Sequence, residues 1–148
     1  GAMSDALRRA IAGSSGPFYA VGLARAARSL SGMDNPTAQQ WHSAFTDAVA
    51  AVSELGGAKP GDRTMIDALA PAVDALGKAL AAGQPGNLAL KDAAEAARRG
   101  ADDTAGMVAR LGRASYLGER ATGIPDGGAV AVAIWLEAIA SANDPQHP

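Results

Sequence analysis

Five large aliphatic residues constrain this chain more than anything else in it: Ile66, Leu69, Val73, Leu76 and Leu80. They recur at alternating intervals of three and four. That spacing places them along one side of an α-helix, as the seam of a helical bundle. No stretch of comparable length alternates with period two, so a sheet has nothing to build on. Around this seam the apolar content is supplied largely by alanine. Hydrophobic residues make up 48% of the 148 residues and aromatics only 4%. Alanine is the strongest helix former, and its small side chain lets helices approach closely. The expectation is an all-α, antiparallel bundle or barrel of about six helices.

The punctuation divides the chain accordingly. Gly1 and Ala2 ahead of Met3 read as a tag remnant. Residues 4–142 read as a single helical domain and 143–148 as a flexible tail. Ser4 caps a short first helix through Ile11, and Pro17 takes the first position of the second. Thr37 caps a third helix with Trp41, Phe45, Val49 and Val52 on one face, ending at Gly56-Gly57. Asp62 is the expected N-cap of the seam helix, within which Pro71 predicts a kink and not a break. Asn87 caps a fifth helix whose face of small residues is expected to continue through Thr104 to Val108 and Leu111. A sixth, from Ala129 to about Ala142, is apolar nearly all round and is expected to be central and buried.

Composition narrows the function classes. The net charge is −2 with the signs interspersed, which argues against a nucleic-acid-binding stripe. There is no cysteine and hence no disulfide framework or thiolate metal site. No apolar run approaches a membrane span and no signal peptide is visible. A cytoplasmic protein without a membrane or nucleic-acid partner is the expectation. Zinc spacing, a Ser/His/Asp order and a Walker-type lysine motif are absent. His42 reads as the polar flank of a helix, and Asp102-Asp103 as a solvated face.

Three loops remain as carriers of chemistry. In Gly13-Ser14-Ser15-Gly16-Pro17, glycines let a ligand approach the backbone. Two hydroxyls and a helix N-terminus add donors suited to phosphate. The alternative is a helix–helix turn with a capping serine. In the second loop, Gly56-Gly57-Ala58-Lys59-Pro60-Gly61-Asp62-Arg63-Thr64-Met65, the cations Lys59 and Arg63 can face phosphate oxygens and Met65 can pack on a base. Alternatively this is an ordinary turn with Met65 in the core. The third runs from Gly112 to Gly128 and is long for a compact domain. Arg113 and Arg120 offer forked bonds to phosphate or carboxylate. Asp126, ahead of Gly127 and Gly128, can cap the last helix or hold a ribose or metal-bound water. An ion-pair network of Arg113, Glu119 and Arg120 that ties the loop down is the structural alternative.

Taken in order, these three segments resemble the nucleotide-binding L domain of the dihydroxyacetone (glycerone) kinases. The resemblance implies an α-helical barrel that binds ATP or ADP at one end, here as an incomplete eight-helix barrel. It implies nucleotide contacts at Ser14, Ser15, Gly16, Gly56, Met65, Arg113, Asp126, Gly127 and Gly128. It assigns no catalytic residue. The family typically has proline where this chain has Gly127. The family's magnesium ions sit on an aspartate-rich loop between N-terminal helices. Nothing here matches that loop, since Asp5 is the only acidic residue ahead of Ser14. The implied role is the ATP-binding part of a kinase acting on a small ketose or polyol. The implied partners are a ketone-binding subunit or domain and a chain supplying the aspartate-rich loop, or a second copy docked on an exposed flank. A non-catalytic adaptor derived from the same barrel is the alternative.

Overall fold

The computed structural model describes residues 15–111, 115–116 and 122–145. Among them are five α-helices and no strand: α1 (Ser15–Ser29), α2 (Ala38–Gly56), α3 (Ile66–Ala81), α4 (Gly86–Asp103) and α5 (Gly127–Ala142), with a short 3-10 turn at Thr104–Gly106. The all-α reading holds. The first helix expected from the sequence lies outside the described residues. The chain divides between Gly57 and Ala58 into two compact units.

In the first unit α1 packs on α2. Gly22 sits where a Cβ would come within 3.2 Å of Val52 Cγ2, so the glycine sets how closely the helices approach. The expected start of α1 at Pro17 moves two residues earlier. Proline is tolerated there because N–H groups in a helix's first turn have no intrahelical partner. Thr37 caps α2 as expected. Its Oγ1 accepts from Gln40 N, while the Thr37 N–H donates to Gln40 Oε1 at 2.8 Å, a reciprocal capping box. Ala44, Ala51 and Val52 are buried, but Trp41, expected on the inner face, is 56% exposed. It lies in the first turn of α2, beyond the segment that Gly22 faces. Gly57 closes the helix in the left-handed conformation.

In the second unit α4 packs against both α3 and α5. All five residues of the sequence seam are buried along α3. The facing side of α4 is almost wholly alanine: Ala89, Ala93, Ala97 and Ala101 are inaccessible to solvent. The two helices meet most closely at Gly100. A Cβ there would overlap the carbonyl oxygen of Asp67 and lie 2.9 Å from Pro71 Cγ. Pro71 explains that contact. It has no N–H to offer the Asp67 carbonyl four residues earlier, and the helix runs on through it unbroken. The carbonyl so released is the one on which Gly100 packs. At its C-terminus α3 finishes in a Schellman arrangement: Gln84 N donates to Ala79 O, Gly83 N donates to Leu80 O, and Gly83 is left-handed.

Three expectations are corrected here. Asn87 does not cap α4, which begins at Gly86 after Pro85. The small-residue face stops at Asp103, where the 3-10 turn redirects the chain, and Val108 is 52% exposed. α5 is not buried all round: Val132, Ala133, Leu136 and Ala140 face the core, but Ile134 and Ile139 are exposed. Near-uniform hydrophobicity carries little information about direction, so packing against α4, and to a lesser extent α3, selects the inner face.

Two ion pairs tie α4 to the C-terminal part of the unit. Arg98 forms a forked bridge to Glu137, with both N···O distances 2.7 Å. Lys91 Nζ reaches Asp144 at 2.7 Å. The bond from Arg98 holds the Glu137 carboxyl below its ordinary value against the opposing effect of burial, and Glu137 likewise raises the Arg98 guanidinium.

Candidate functional site

The second and third loops of the sequence reading meet within the second unit, at the end where α3 begins, α4 ends and α5 begins. The segment entering α3 is a chain reversal built on two aspartates. Asp62 is not the cap of α3. Its carboxylate accepts the Lys59 N–H at 2.8 Å and its own N–H returns to the Lys59 carbonyl, closing the turn. The loop ahead of α3 is held instead by Asp67, one residue inside the helix and 5% exposed. Asp67 Oδ1 accepts from Gly61 N at 2.5 Å, and Oδ2 from Thr64 N at 2.7 Å. Thr64 Oγ1 accepts from Ile66 N. A carboxylate placed in the first turn of α3 is also favourable toward the positive end of the helix dipole.

Arg63 departs most from expectation. Read as a surface cation facing phosphate, it is 4% exposed, with a left-handed φ of 61°. That backbone conformation costs a non-glycine residue roughly 1–2 kcal/mol. It turns the guanidinium inward, where Nε donates to the Thr104 carbonyl at 3.2 Å and Nη2 to the Ile124 carbonyl at 2.7 Å. Lys59 does remain exposed.

Thr104, fully buried, continues the network. Its hydroxyl donates to the Ala101 carbonyl and accepts the Asp126 N–H at 2.7 Å. Gly123 N donates to the Ala105 carbonyl at 2.8 Å. These bonds fix the C-terminal end of the third loop against the end of α4 and the 3-10 turn that follows it. Asp126 then caps α5 as expected, Oδ2 accepting from Ala129 N at 2.9 Å.

Met65 and Gly128 are brought together. A Cβ on Gly128 would lie 3.0 Å from Asp126 Oδ2 and at an ordinary contact distance of 3.6 Å from Met65 Cβ, so the tight neighbour of this glycine is the capping carboxylate. Gly127 faces open space. Met65 is 9% exposed, which agrees with the core alternative for this residue. Of the remaining sequence-derived residues, Ser15 and Gly16 open α1 and Gly56 ends α2, all in the first unit. Ser14, Arg113, Glu119 and Arg120 lie outside the described residues, and Tyr116 is 91% exposed.

Sequence reasoning missed Thr104 and the inward turn of Arg63. A threonine at a helix end and a basic residue beside aspartate carry no local mark of burial. Among the described residues no group of three or more His, Cys, Asp or Glu is placed to hold a metal ion. No described helix is long and apolar enough to cross a membrane.

Comparison with known proteins places this arrangement. Over 130 residues the chain is 41% identical to the L-erythrulose 1-kinase of Mycolicibacterium smegmatis, covering 88% of this chain and 22% of that protein. Over 136 residues it is 35% identical to the ADP-binding subunit DhaL of the PEP-dependent dihydroxyacetone kinase of Escherichia coli, covering 92% of this chain and 65% of that subunit. The fold is similar to the dihydroxyacetone kinase of C. freundii at 29% identity. TM-scores are 0.68 for the native form and 0.65 for the complex with AMP-PNP and Mg2+. The match covers 95% of this chain but only 23% and 22% of those chains. The chain therefore spans only part of the length of each relative. The DAK2 domain model matches residues 1–141, and with these relatives it shows that the chain belongs to the DAK2 domain family, the nucleotide-binding L domain family of the dihydroxyacetone kinases.

Proposed function

We propose that this chain is the ATP- or ADP-binding part of a dihydroxyacetone-kinase-like phosphotransferase, which passes a phosphoryl group from ATP to a small ketose or polyol. The observation that carries the reading is the turn Asp126-Gly127-Gly128 at the start of α5, held beside Met65 at the entry to α3. It lies in a family whose DhaL member is named as ADP-binding. A solved neighbour was obtained with AMP-PNP and Mg2+.

The chemistry available at this turn is anion binding. The first N–H groups of a helix point outward without intrahelical partners, and the helix dipole is positive there. Gly128 leaves room for the Asp126 carboxylate against the α5 N-terminus, and open space in front of Gly127 leaves room for an approaching group. Ser14, Ser15, Gly16, Gly56 and Arg113 are proposed as further nucleotide contacts. Magnesium, when bound in such kinases, neutralises charge on the phosphates. The described residues offer it no ligand set, so the contribution assigned to them is to the nucleotide. The acceptor is assigned to a ketone-binding domain or subunit that works with this one, and the aspartate-rich metal loop to a chain that supplies it.

Calorimetric titration with ADP, with and without magnesium chloride, tests the reading. The expected result is a binding heat that Asp126→Ala and Gly128→Val each weaken by about tenfold or more, corresponding to about 1.4 kcal/mol. In a mixture with a ketone-binding kinase subunit and dihydroxyacetone, turnover of ATP is expected to fall in the same variants. Absence of ADP binding both alone and in that mixture refutes the reading and leaves the non-catalytic adaptor. Unchanged binding in both variants, with folding retained, refutes the site.

A further inference from the structure

We propose that Arg63 is a positioning residue for the nucleotide-facing turn: it acts on Asp126-Gly127-Gly128 through the backbone and not by touching a phosphate. The inference rests on the nucleotide reading given above and adds to it a residue that sets the geometry of the site.

Arg63 is buried, so its charge is spent inside the protein. Two carbonyls it binds are both tied to the start of the turn. Ile124 O lies two residues before Asp126 in the chain. Thr104 O belongs to the residue whose hydroxyl accepts the Asp126 N–H. One guanidinium thus fixes the turn directly at Ile124 and indirectly at Asp126. Only a planar fork does this. A lysine ammonium carries the same charge on a different geometry and is not matched to two carbonyls at once. The left-handed backbone points the same way. A strained φ at a non-glycine residue persists where the surroundings over-determine it, and here that strain aims the fork.

Two variants separate positioning from stability and from charge. Arg63→Gly removes the fork and relieves the left-handed strain together, which limits the loss of stability. Arg63→Lys keeps the charge and loses the fork. Arg98→Ala serves as control, because it breaks the bridge to Glu137 without touching the turn. Two readouts are needed: amide hydrogen exchange at Asp126 and Ala129, and ADP affinity by calorimetry. The expected result is exchange at Asp126 faster by about tenfold or more, and ADP binding weaker by about tenfold or more, in both Arg63 variants and in neither respect for Arg98→Ala. Rescue of ADP binding by Arg63→Lys overturns the proposal in favour of a charge effect. Unchanged Asp126 exchange in Arg63→Gly overturns it whether or not nucleotide binds. Failure of the unmodified protein to bind ADP in any assembly refutes the nucleotide reading instead, and the exchange measurement then still decides whether Arg63 sets the turn.

Discussion

Gly100→Ala provides the sharpest test of how α3 and α4 are held together. Considered as an isolated helix, the substitution is favourable, since alanine exceeds glycine in helix propensity by about 1 kcal/mol. The structure opposes this. The new methyl would occupy the place of the Asp67 carbonyl oxygen and approach Pro71 Cγ to 2.9 Å. Neither obstacle is the free end of a flexible side chain. One is helix backbone and the other a ring fixed in the same helix. The helices must therefore separate, and a gap of 0.5–1 Å forfeits roughly a quarter to a half of the dispersion attraction across the interface. Overpacking of this kind costs about 1–3 kcal/mol, occasionally more. With backbone as the obstacle the upper end applies, and a net loss of about 2 kcal/mol remains after the helix gain. For a unit of this size that corresponds to a melting temperature lower by roughly 8–16 °C. Circular dichroism melts and urea titration measure it, with Gly106→Ala as the comparison because Gly106 has nothing within 4 Å of an added Cβ. A Gly100→Ala protein as stable as the unmodified one would show that the close approach does not govern this interface.

Three further outcomes follow from particular residues. Gly127→Pro is expected to stabilise by about 0.4–1 kcal/mol: Gly127 opens α5 in open space, and Asp126 at ψ 129° already has the extended conformation that a residue before proline requires. A lower melting temperature refutes that account. The Arg98–Glu137 bridge lowers the Glu137 carboxyl, so the stability it provides is present above the ordinary value of 4.5 and is lost as pH falls through the lower folded value. The side chains are 33% and 44% exposed, so the effect is discounted to about 0.5 kcal/mol, visible as a steeper acid limb in unfolding titrations than for Glu137→Gln. A double-mutant cycle of Gly100→Ala with Asp67→Asn is expected to be non-additive by about 0.5–3 kcal/mol, because both act on one residue; additivity in urea titrations refutes the coupling.

What was legible in the sequence was what local rules determine. The α3 seam is visible because large aliphatic residues leave a period. Thr37 with Gln40, and Asp126 before two glycines, are visible because a cap is settled within three or four residues. Arg63 was misread for the opposite reason. Its partners are 41 and 61 residues further along the chain, and nothing in the composition of the loop announces them. Asp62 was misread as the cap of α3 because it is an aspartate just ahead of the apolar seam. Asp67 is chosen by the fold of the loop, which delivers Gly61 N and Thr64 N to the same carboxylate. The exposed side of α5 was invisible because nearly every position of that helix apart from Glu137 and Ser141 is apolar, so nothing local marks Ile134 and Ile139 as exposed.

Asp67 also explains why the candidate site and the helix crossing cannot vary independently. Its carbonyl, released by Pro71, is the surface on which Gly100 packs. Its carboxylate holds the loop that presents Arg63. A displacement of the α3 backbone at this residue therefore acts at both ends of it. Outward movement of the carbonyl carries the carboxylate away from Gly61 and Thr64, and the reversal that aims Arg63 at Ile124 loosens with it. The alanine-lined side of α4 thus has a role beyond filling the core. By letting α4 lie against the α3 backbone, it fixes the position of Asp67, and through Asp67 and Arg63 the position of the turn that begins α5.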